Sequence, residues 1–197
     1  MIMICTKISE LDNFMKDNLK PARYTHSLGV EKMSAQLAKA HGADIEKAAF
    51  AGRYHDIAKC FDNETMNSYV RKFGLDDMYI DNNPLAHSKV AAGILRDDFG
   101  VSDEEVLDAV RYHTTGREDM TLLDEIVYVA DAIEENRNYP GLKELQEQAM
   151  TDLDGACLFI MDYMLGRLAL KGRVPDHDTV AAREFIINRI SQNNNTE

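Results

Sequence analysis

The chain has 197 residues, 45% of them hydrophobic, with 22 Lys and Arg set against 34 Asp and Glu for a formal net charge of −12. That length suits a single sizeable core, and the apolar content excludes a disordered chain. The acidic balance disfavours a nucleic-acid partner, whose phosphates require a basic footprint; a phosphorylated small substrate would need metals or a few basic residues to reverse the field locally.

The elements read as helices almost throughout. Ile8, Leu11, Phe14, Met15 and Leu19 follow helical spacing and stop before Pro21. A second helix covers about Ala22 to Ala40, with Gly42 as its stop. Asp44 caps a third that runs to His55-Asp56, and Glu64 to Phe73 forms a fourth, closed by Gly74. Pro84 opens a fifth, which carries His87 and ends before Gly100. Ser102-Asp103-Glu104-Glu105 is a capping-box pattern for a sixth helix ending near His113, and Thr121-Leu122-Leu123-Asp124 a looser one for a seventh containing Asp131. Further helical patterns cover Leu142 to Ala149, Leu153 to Leu170 and Thr179 to Ile190. The longest loop-like stretches are Leu75 to Asn83, Thr114 to Met120 and Gly172 to Asp178, and the polar tail Gln192 to Glu197 is expected to fray. No strand alternation, repeat or linker is visible. The expectation is one all-α, single-domain helical bundle over residues 1–197.

Cys5, Cys60 and Cys157 are scattered and odd in number, which fits a reduced, cytoplasmic protein and makes a structural zinc site a poor reading. Met1-Ile2-Met3-Ile4-Cys5 is too short and lacks the basic flank of a signal peptide. The most apolar late stretch, Ala156 to Leu170, is interrupted by Asp162 and Arg167, so no membrane span is expected. The ten methionines are scattered through helical patterns and read as core filler.

The chemistry centres on adjacent His55 and Asp56. An imidazole and a carboxylate near a helix end can both reach one metal ion, and the second carboxylate oxygen can bridge to another. Of the six histidines, His41 precedes Gly42 and suits a helix C-terminus. His26, His55-Asp56 and Asp131, in that order, resemble the defining motif of the HD hydrolase superfamily, in which four such residues from separate helices converge on one metal. His87 and His113, lying between the pair and Asp131, resemble the binuclear branch. The resemblance implies that Asp56 bridges two ions, that His26, His55 and Asp131 complete the first, and that His87 and His113 hold the second.

The local sequences narrow the family. Arg23-Tyr24-Thr25-His26-Ser27-Leu28-Gly29-Val30, Ala51 to Lys59, Ala109 to Arg117 (with its His113-Thr114-Thr115-Gly116-Arg117 run) and Leu122 to Asp131 resemble motifs of the YqeK family, over about residues 20 to 190. The resemblance implies a symmetrical bis(5'-nucleosyl)-tetraphosphatase. It would use two divalent ions, iron in the family, although the donor set also accommodates manganese or zinc. A hydroxide bridging the ions would cleave diadenosine tetraphosphate into two ADP. A homodimer is compatible with this reading. The family carries His-Pro-Asp-Thr after Lys-Gly-Arg; here, aligning Asp178-Thr179 puts Asp176 at the family's His, with His177 one residue away.

Other substrate contacts follow from spacing beside the resemblance. Lys59 returns to the His55-Asp56 face on a continued helical turn and can neutralise phosphoryl charge. Arg23 lies three residues before His26 and offers a bidentate fork to phosphate. Asp131, Glu134 and Arg137, spaced by three along one helix, set a ligand, an orienting acid and a phosphate-binding base on one stripe. Thr114, Thr115 and Gly116 offer hydroxyl and backbone N–H contacts to the nucleotide. Arg173 and His177-Asp178-Thr179 are further candidates. No P-loop or dinucleotide-binding glycine pattern occurs. The alternatives are another HD nucleotide phosphohydrolase, such as a nucleotidase or cyclic-dinucleotide phosphodiesterase, and a non-catalytic nucleotide sensor.

Overall fold

Breakers and caps set where each helix begins and ends. The computed structural model describes residues 5–194. In chain order its helices are α1 (Ile8–Asn18), α2 (Pro21–His41), α3 (Ile45–Tyr54), α4 (Asn63–Lys72), a 3-10 turn (Asp77–Tyr79), α5 (Asn83–Asp97), α6 (Glu104–Tyr112), α7 (Leu122–Ile133), α8 (Leu142–Ala149), α9 (Leu153–Leu170) and α10 (His177–Asn194). No strand occurs among the described residues, so the fold is all-α.

Several sequence signals act as expected. Pro21 opens α2, Gly42 ends it with φ 74°, and the Asp44 carboxylate accepts the N–H groups of Glu46 and Lys47 at the start of α3. Thr121 and Asp124 form a reciprocal capping box for α7. At α6 the expectation needs correcting: Asp103, not Ser102, is the cap, and its carboxylate accepts the Val106 N–H. The stretch 75–83 contains the 3-10 turn, capped by Asp76. α10 begins at His177, two residues before the expected start, because Asp176 accepts the Asp178 N–H and closes a local turn. Of the expected frayed tail, Gln192 to Asn194 belongs to α10, and residues 195–197, like Met1 to Ile4, lie outside the described residues.

α7 is the central helix. Leu123, Ile126, Val127, Val129, Ala130 and Ile133 are buried, each large side chain contributing about 1.5–3 kcal/mol. It packs against α2, α3 and α6 on one side and α9 on the other, while α5 lies on α6. α3 meets α2 at backbone contact: a Cβ on Gly52 would sit 2.9 Å from the Val30 carbonyl and 2.6 Å from Ser34 Oγ. That close approach brings the end of α3, with His55, against His26 on α2. Among the described methionines, Met15, Met66, Met120 and Met161 are buried as core filler and Met33 packs partly buried against the core, whereas Met78, Met150 and Met164 are exposed.

Candidate metal centre

Four helices deliver imidazoles to one buried point. His26 comes from the second turn of α2, His55 caps the C-terminus of α3, His87 lies in the first turns of α5, and His113 caps the C-terminus of α6. All four are buried, as is Asp56, while the Asp131 side chain on α7 is 27% exposed.

The last carbonyls of a helix have no partner within it, and this chain uses them to aim rings. His55 Nδ1 donates to the Gly52 carbonyl at 2.7 Å, and His113 Nδ1 to the Val110 carbonyl at 2.8 Å. His87 Nδ1 donates to the Asn83 carbonyl at 3.1 Å, and His26 Nδ1 to Glu134 Oε1 at 3.0 Å. Backbone carbonyls and a carboxylate can only accept, so each Nδ1 carries a proton and, in the neutral ring, each Nε2 presents a lone pair. The four Nε2 atoms converge. His87 Nε2 and His113 Nε2 are 3.1 Å apart, which sets two lone pairs against each other, an arrangement that calls for cations.

Asp56 divides this cluster between its two oxygens. Oδ2 faces His55 Nε2 at 3.3 Å and His26 Nε2 at 3.9 Å; Oδ1 faces His87 Nε2 at 3.2 Å and His113 Nε2 at 3.5 Å. Asp131 Oδ1 joins the first group, 2.9 Å from His26 Nε2 and 3.9 Å from His55 Nε2. Buried His26 Nε2, His55 Nε2 and Asp56 Oδ1 make no hydrogen bond. Orphaned buried atoms of this kind are costly unless something else holds them. The imidazole and carboxylate donor set fits divalent iron, manganese or zinc. His26, His55 and Asp131, and separately His55, Asp56 and His113, have donor atoms within 4.8 Å of one another.

Protonation follows the same geometry. Burial pushes His113 down to about 4 and also lowers His87, which favours the neutral, lone-pair form. Burial pulls His55 the same way, but Asp56, Asp131 and the Gly52 carbonyl together outweigh it and raise this ring. Burial would raise Asp56 and Asp131; the surrounding imidazoles outweigh it and hold both below the usual carboxylate range.

Three cations border the cluster. Arg23 donates from Nη1 to Asp56 Oδ2 at 2.8 Å. Lys59 reaches the site by a different route from the expected helical turn. α3 stops at Tyr54, and a tight turn with the Lys59 N–H on the Asp56 carbonyl at 2.8 Å brings Nζ to 2.9 Å from His87 Nε2 and 3.8 Å from Asp56 Oδ1. Arg137 also departs from expectation. α7 ends at Ile133, so Asp131, Glu134 and Arg137 do not share one helix; extended Glu134 (ψ 158°) turns the chain. Arg137 then folds back, with Nη2 2.6 Å from Asp131 Oδ1 and Nε 2.8 Å from the Asp131 carbonyl.

Of the Thr114-Thr115-Gly116 run, only Thr114 reaches the centre, with Oγ1 3.1 Å from His87 Nε2. The N–H groups of Thr115 and Gly116 are both taken by the Tyr112 carbonyl, and Thr115 Oγ1 donates to the Gly116 carbonyl. The expected backbone contacts to nucleotide are therefore committed to the turn. In the 173–179 segment, Arg173 and His177 are outside the core, Thr179 is buried, and Asp178 receives Lys89 Nζ at 3.1 Å. None of these four contacts the imidazole cluster through a hydrogen bond or ion pair. Lys89 is buried and sits 3.9 Å from the Tyr112 ring centroid, so Asp178 supplies its countercharge. His41 Nε2 contacts the Ala149 carbonyl at 2.7 Å, in keeping with its helix-end reading.

Asn136 and Gly29 were missed by the sequence reading. Asn136 holds Glu134 Oε2 through its backbone N at 2.6 Å and Nδ2 at 2.8 Å. Gly29, nearly one turn after His26, leaves the space that Glu134 fills.

Residues 23–136 match the HD domain model. The chain is 39% identical, over 85% of its length and 90% of the relative's, to a symmetrical bis(5'-nucleosyl)-tetraphosphatase of Halalkalibacterium halodurans. It is 42% identical to the Bacillus subtilis protein of the same name, over 73% of this chain and 78% of that one. This chain belongs to the HD-domain family, in its symmetrical bis(5'-nucleosyl)-tetraphosphatase branch. An HD superfamily hydrolase from Clostridium acetobutylicum, described as involved in NAD metabolism, superposes with a TM-score of 0.88 at 36% identity, covering 94% of this chain and 99% of that one. Within the HD-domain family the match covers all six candidate ligands, since His26 and Asp131 fall inside the matched residues.

Proposed function

We propose that this HD-domain chain hydrolyses diadenosine tetraphosphate symmetrically to two ADP at a two-metal centre. The observation that carries the metal chemistry is the division of Asp56, with His26, His55 and Asp131 around one oxygen and His87 and His113 around the other. The substrate is supported by the tetraphosphatases to which the chain is similar. Two divalent ions, iron by the family resemblance, would supply Lewis acidity and lower the pKa of bound water toward about 7.

The remaining work falls to the chain's own side chains. His26, His55 and Asp131 would hold one ion and His87 and His113 the other, with Asp56 offering one oxygen to each side. Glu134 fixes His26 in its Nδ1–H form, so that Nε2 stays available. Lys59 and Thr114 converge on the His87 side of the centre, where an ammonium and a hydroxyl stabilise charge gathering on phosphoryl oxygens. Arg23 and Arg137 rest on the ligand carboxylates from the rim. A guanidinium has five N–H donors, and Arg23 uses one on Asp56, leaving others for the polyphosphate. No group here is arranged as a protein nucleophile, so a single direct displacement, with ADP as leaving group, is the step these residues serve. Arg173, His177, Asp178 and Thr179 belong to this proposal only as a more distant nucleotide contact, with Asp178 already held by Lys89. The unit proposed is one domain over residues 1–197, acting in the cytoplasm. Among the described residues no helix is long and apolar enough to cross a membrane.

Chromatography of a digest of diadenosine tetraphosphate by metal-loaded protein tests the reading. ADP should be the sole nucleotide product. ATP together with AMP would reject symmetrical cleavage, and preferential turnover of a monophosphate or a cyclic dinucleotide would reject the substrate.

A further inference from the structure

α9 is apolar on two faces, and only one is used. Leu153, Ala156, Cys157, Ile160 and Met161 point into the core, but between Asp162 and Leu170 no residue is buried. On the outer side Phe159 is 56% exposed, Tyr163 58% and Leu170 90%, with Gly166 between them. A shallow concavity lies along this side, lined by Asp162, Tyr163, Gly166, Arg167, Ala169 and Leu170. A helix apolar on all sides is ordinarily covered on all sides.

The spacing of this stripe identifies what covers it. Phe159, Tyr163, Gly166 and Leu170 are separated by four, three and four residues, the seam repeat of two packed helices. With 3.6 residues per turn, Asp162 lies about 70° to one side of the stripe and Arg167 about 70° to the other. In two parallel copies of this helix, residues on opposite flanks and five positions apart face each other, so Asp162 meets Arg167 of the second copy twice. Antiparallel packing would instead put Asp162 on the flank of its own counterpart, and Arg167 likewise. Asp162 already takes Arg183 through Oδ1, and Arg167 lies over Tyr163 at 5.8 Å, so both charges are held at the edges of the seam. From Gly155 to Leu170 these are the only charged residues, and they cancel. On a chain of net charge −12, this is the face two identical molecules can bring together without repulsion.

We propose that α9 is a homodimer interface, with the two copies of the helix packed in parallel along Phe159, Tyr163, Gly166 and Leu170. The exposed large side chains of the stripe leave on the order of 500 Å² of apolar surface, at the upper end of what a monomer exposes.

Sedimentation of the full-length protein tests this directly. The 22.3 kDa chain should run at twice its mass at micromolar concentration. Gly166→Lys is the cleanest probe, because nothing lies within 4 Å of a Cβ at that position and the fold has room for it. It should shift the protein to the monomer, as should Tyr163→Glu, with the circular dichroism spectrum unchanged. A monomeric parent protein, or a dimer unaffected by both variants, would overturn the interface. In Gly166→Cys, a short thiol cross-linker should join the two copies through their introduced thiols, against a low background from buried Cys5 and Cys157 and half-buried Cys60. A dimer that resists this link would overturn the parallel packing.

Discussion

Replacing Gly29 by Ala sets local propensity against the packing around the metal centre. Gly29 lies inside α2, where Ala is favoured by about 1 kcal/mol, so propensity alone predicts a more stable protein. The site predicts the reverse. A Cβ at position 29 would fall 2.1 Å from Glu134 Oε2 and 2.8 Å from Asn136 Nδ2. Glu134 is buried and has nowhere to move while Asn136 and His26 hold its two oxygens. Overpacking of this kind costs about 1–3 kcal/mol, and a buried polar group pushed off its partner adds about 1–3 kcal/mol. The net effect is a loss of a few kcal/mol, which lowers the melting temperature of a domain this size by roughly 5–10 °C. His26 also loses the acceptor that fixes its tautomer, so affinity for a divalent metal should fall by about 10–100-fold. Thermal melts together with titration by Mn²⁺ read the two effects. In Gly29→Ala combined with Glu134→Ala, the space is restored and part of the stability returns, but the metal affinity does not. A Gly29→Ala protein that melts higher and binds Mn²⁺ as the parent does would refute the claim that Glu134 is wedged against α2 to orient His26.

Other perturbations separate the remaining parts. His87→Ala should remove one of two ions per chain, and elemental analysis finding unchanged stoichiometry would exclude His87 as a ligand. Lys59→Met should lower kcat by about 100–1,000-fold, as loss of transition-state charge stabilisation does, with the metal content retained; a change confined to KM would assign Lys59 to ground-state binding. Away from the centre, burial raises Glu125 to about 8 despite its ion pair with Arg189, against 4.5 for an ordinary Glu. The protonated form is thus favoured by folding, so this stability is fully present below pH 4.5 and is lost as pH rises through 8. Glu125→Gln should flatten the decline in denaturation midpoint between these limits, and an unchanged slope would show that the carboxyl is ionised throughout.

Much of the fold was legible because the chain marks its helix ends with residues that act locally. Pro21, Gly42, Asp44 and the Thr121–Asp124 box each work within one turn. Ser102 and Asp103 are both good caps, and the pattern alone does not decide between them. The end of α7 was invisible for a related reason: no Gly or Pro lies between Asp131 and Arg137, and it is Glu134, drawn to His26 more than a hundred residues earlier, that turns the backbone outward. The six candidate ligands were legible through motif order. The device that aims three of them was not, since the carbonyls of Gly52, Asn83 and Val110 come from backbone that any residue supplies. Nor does any local pattern announce that buried Lys89 takes Asp178, which ties the 173–179 segment to α5.

The central claim is that Asp56 divides one cluster of imidazoles into two metal sites. Electron paramagnetic resonance of the protein loaded with Mn²⁺, with the bound metal quantified in the same sample, tests it most directly. Two ions per chain should be found, with the spectrum of an exchange-coupled pair, as expected for ions roughly 3.5–4 Å apart. A single uncoupled ion per chain at saturation would contradict the claim.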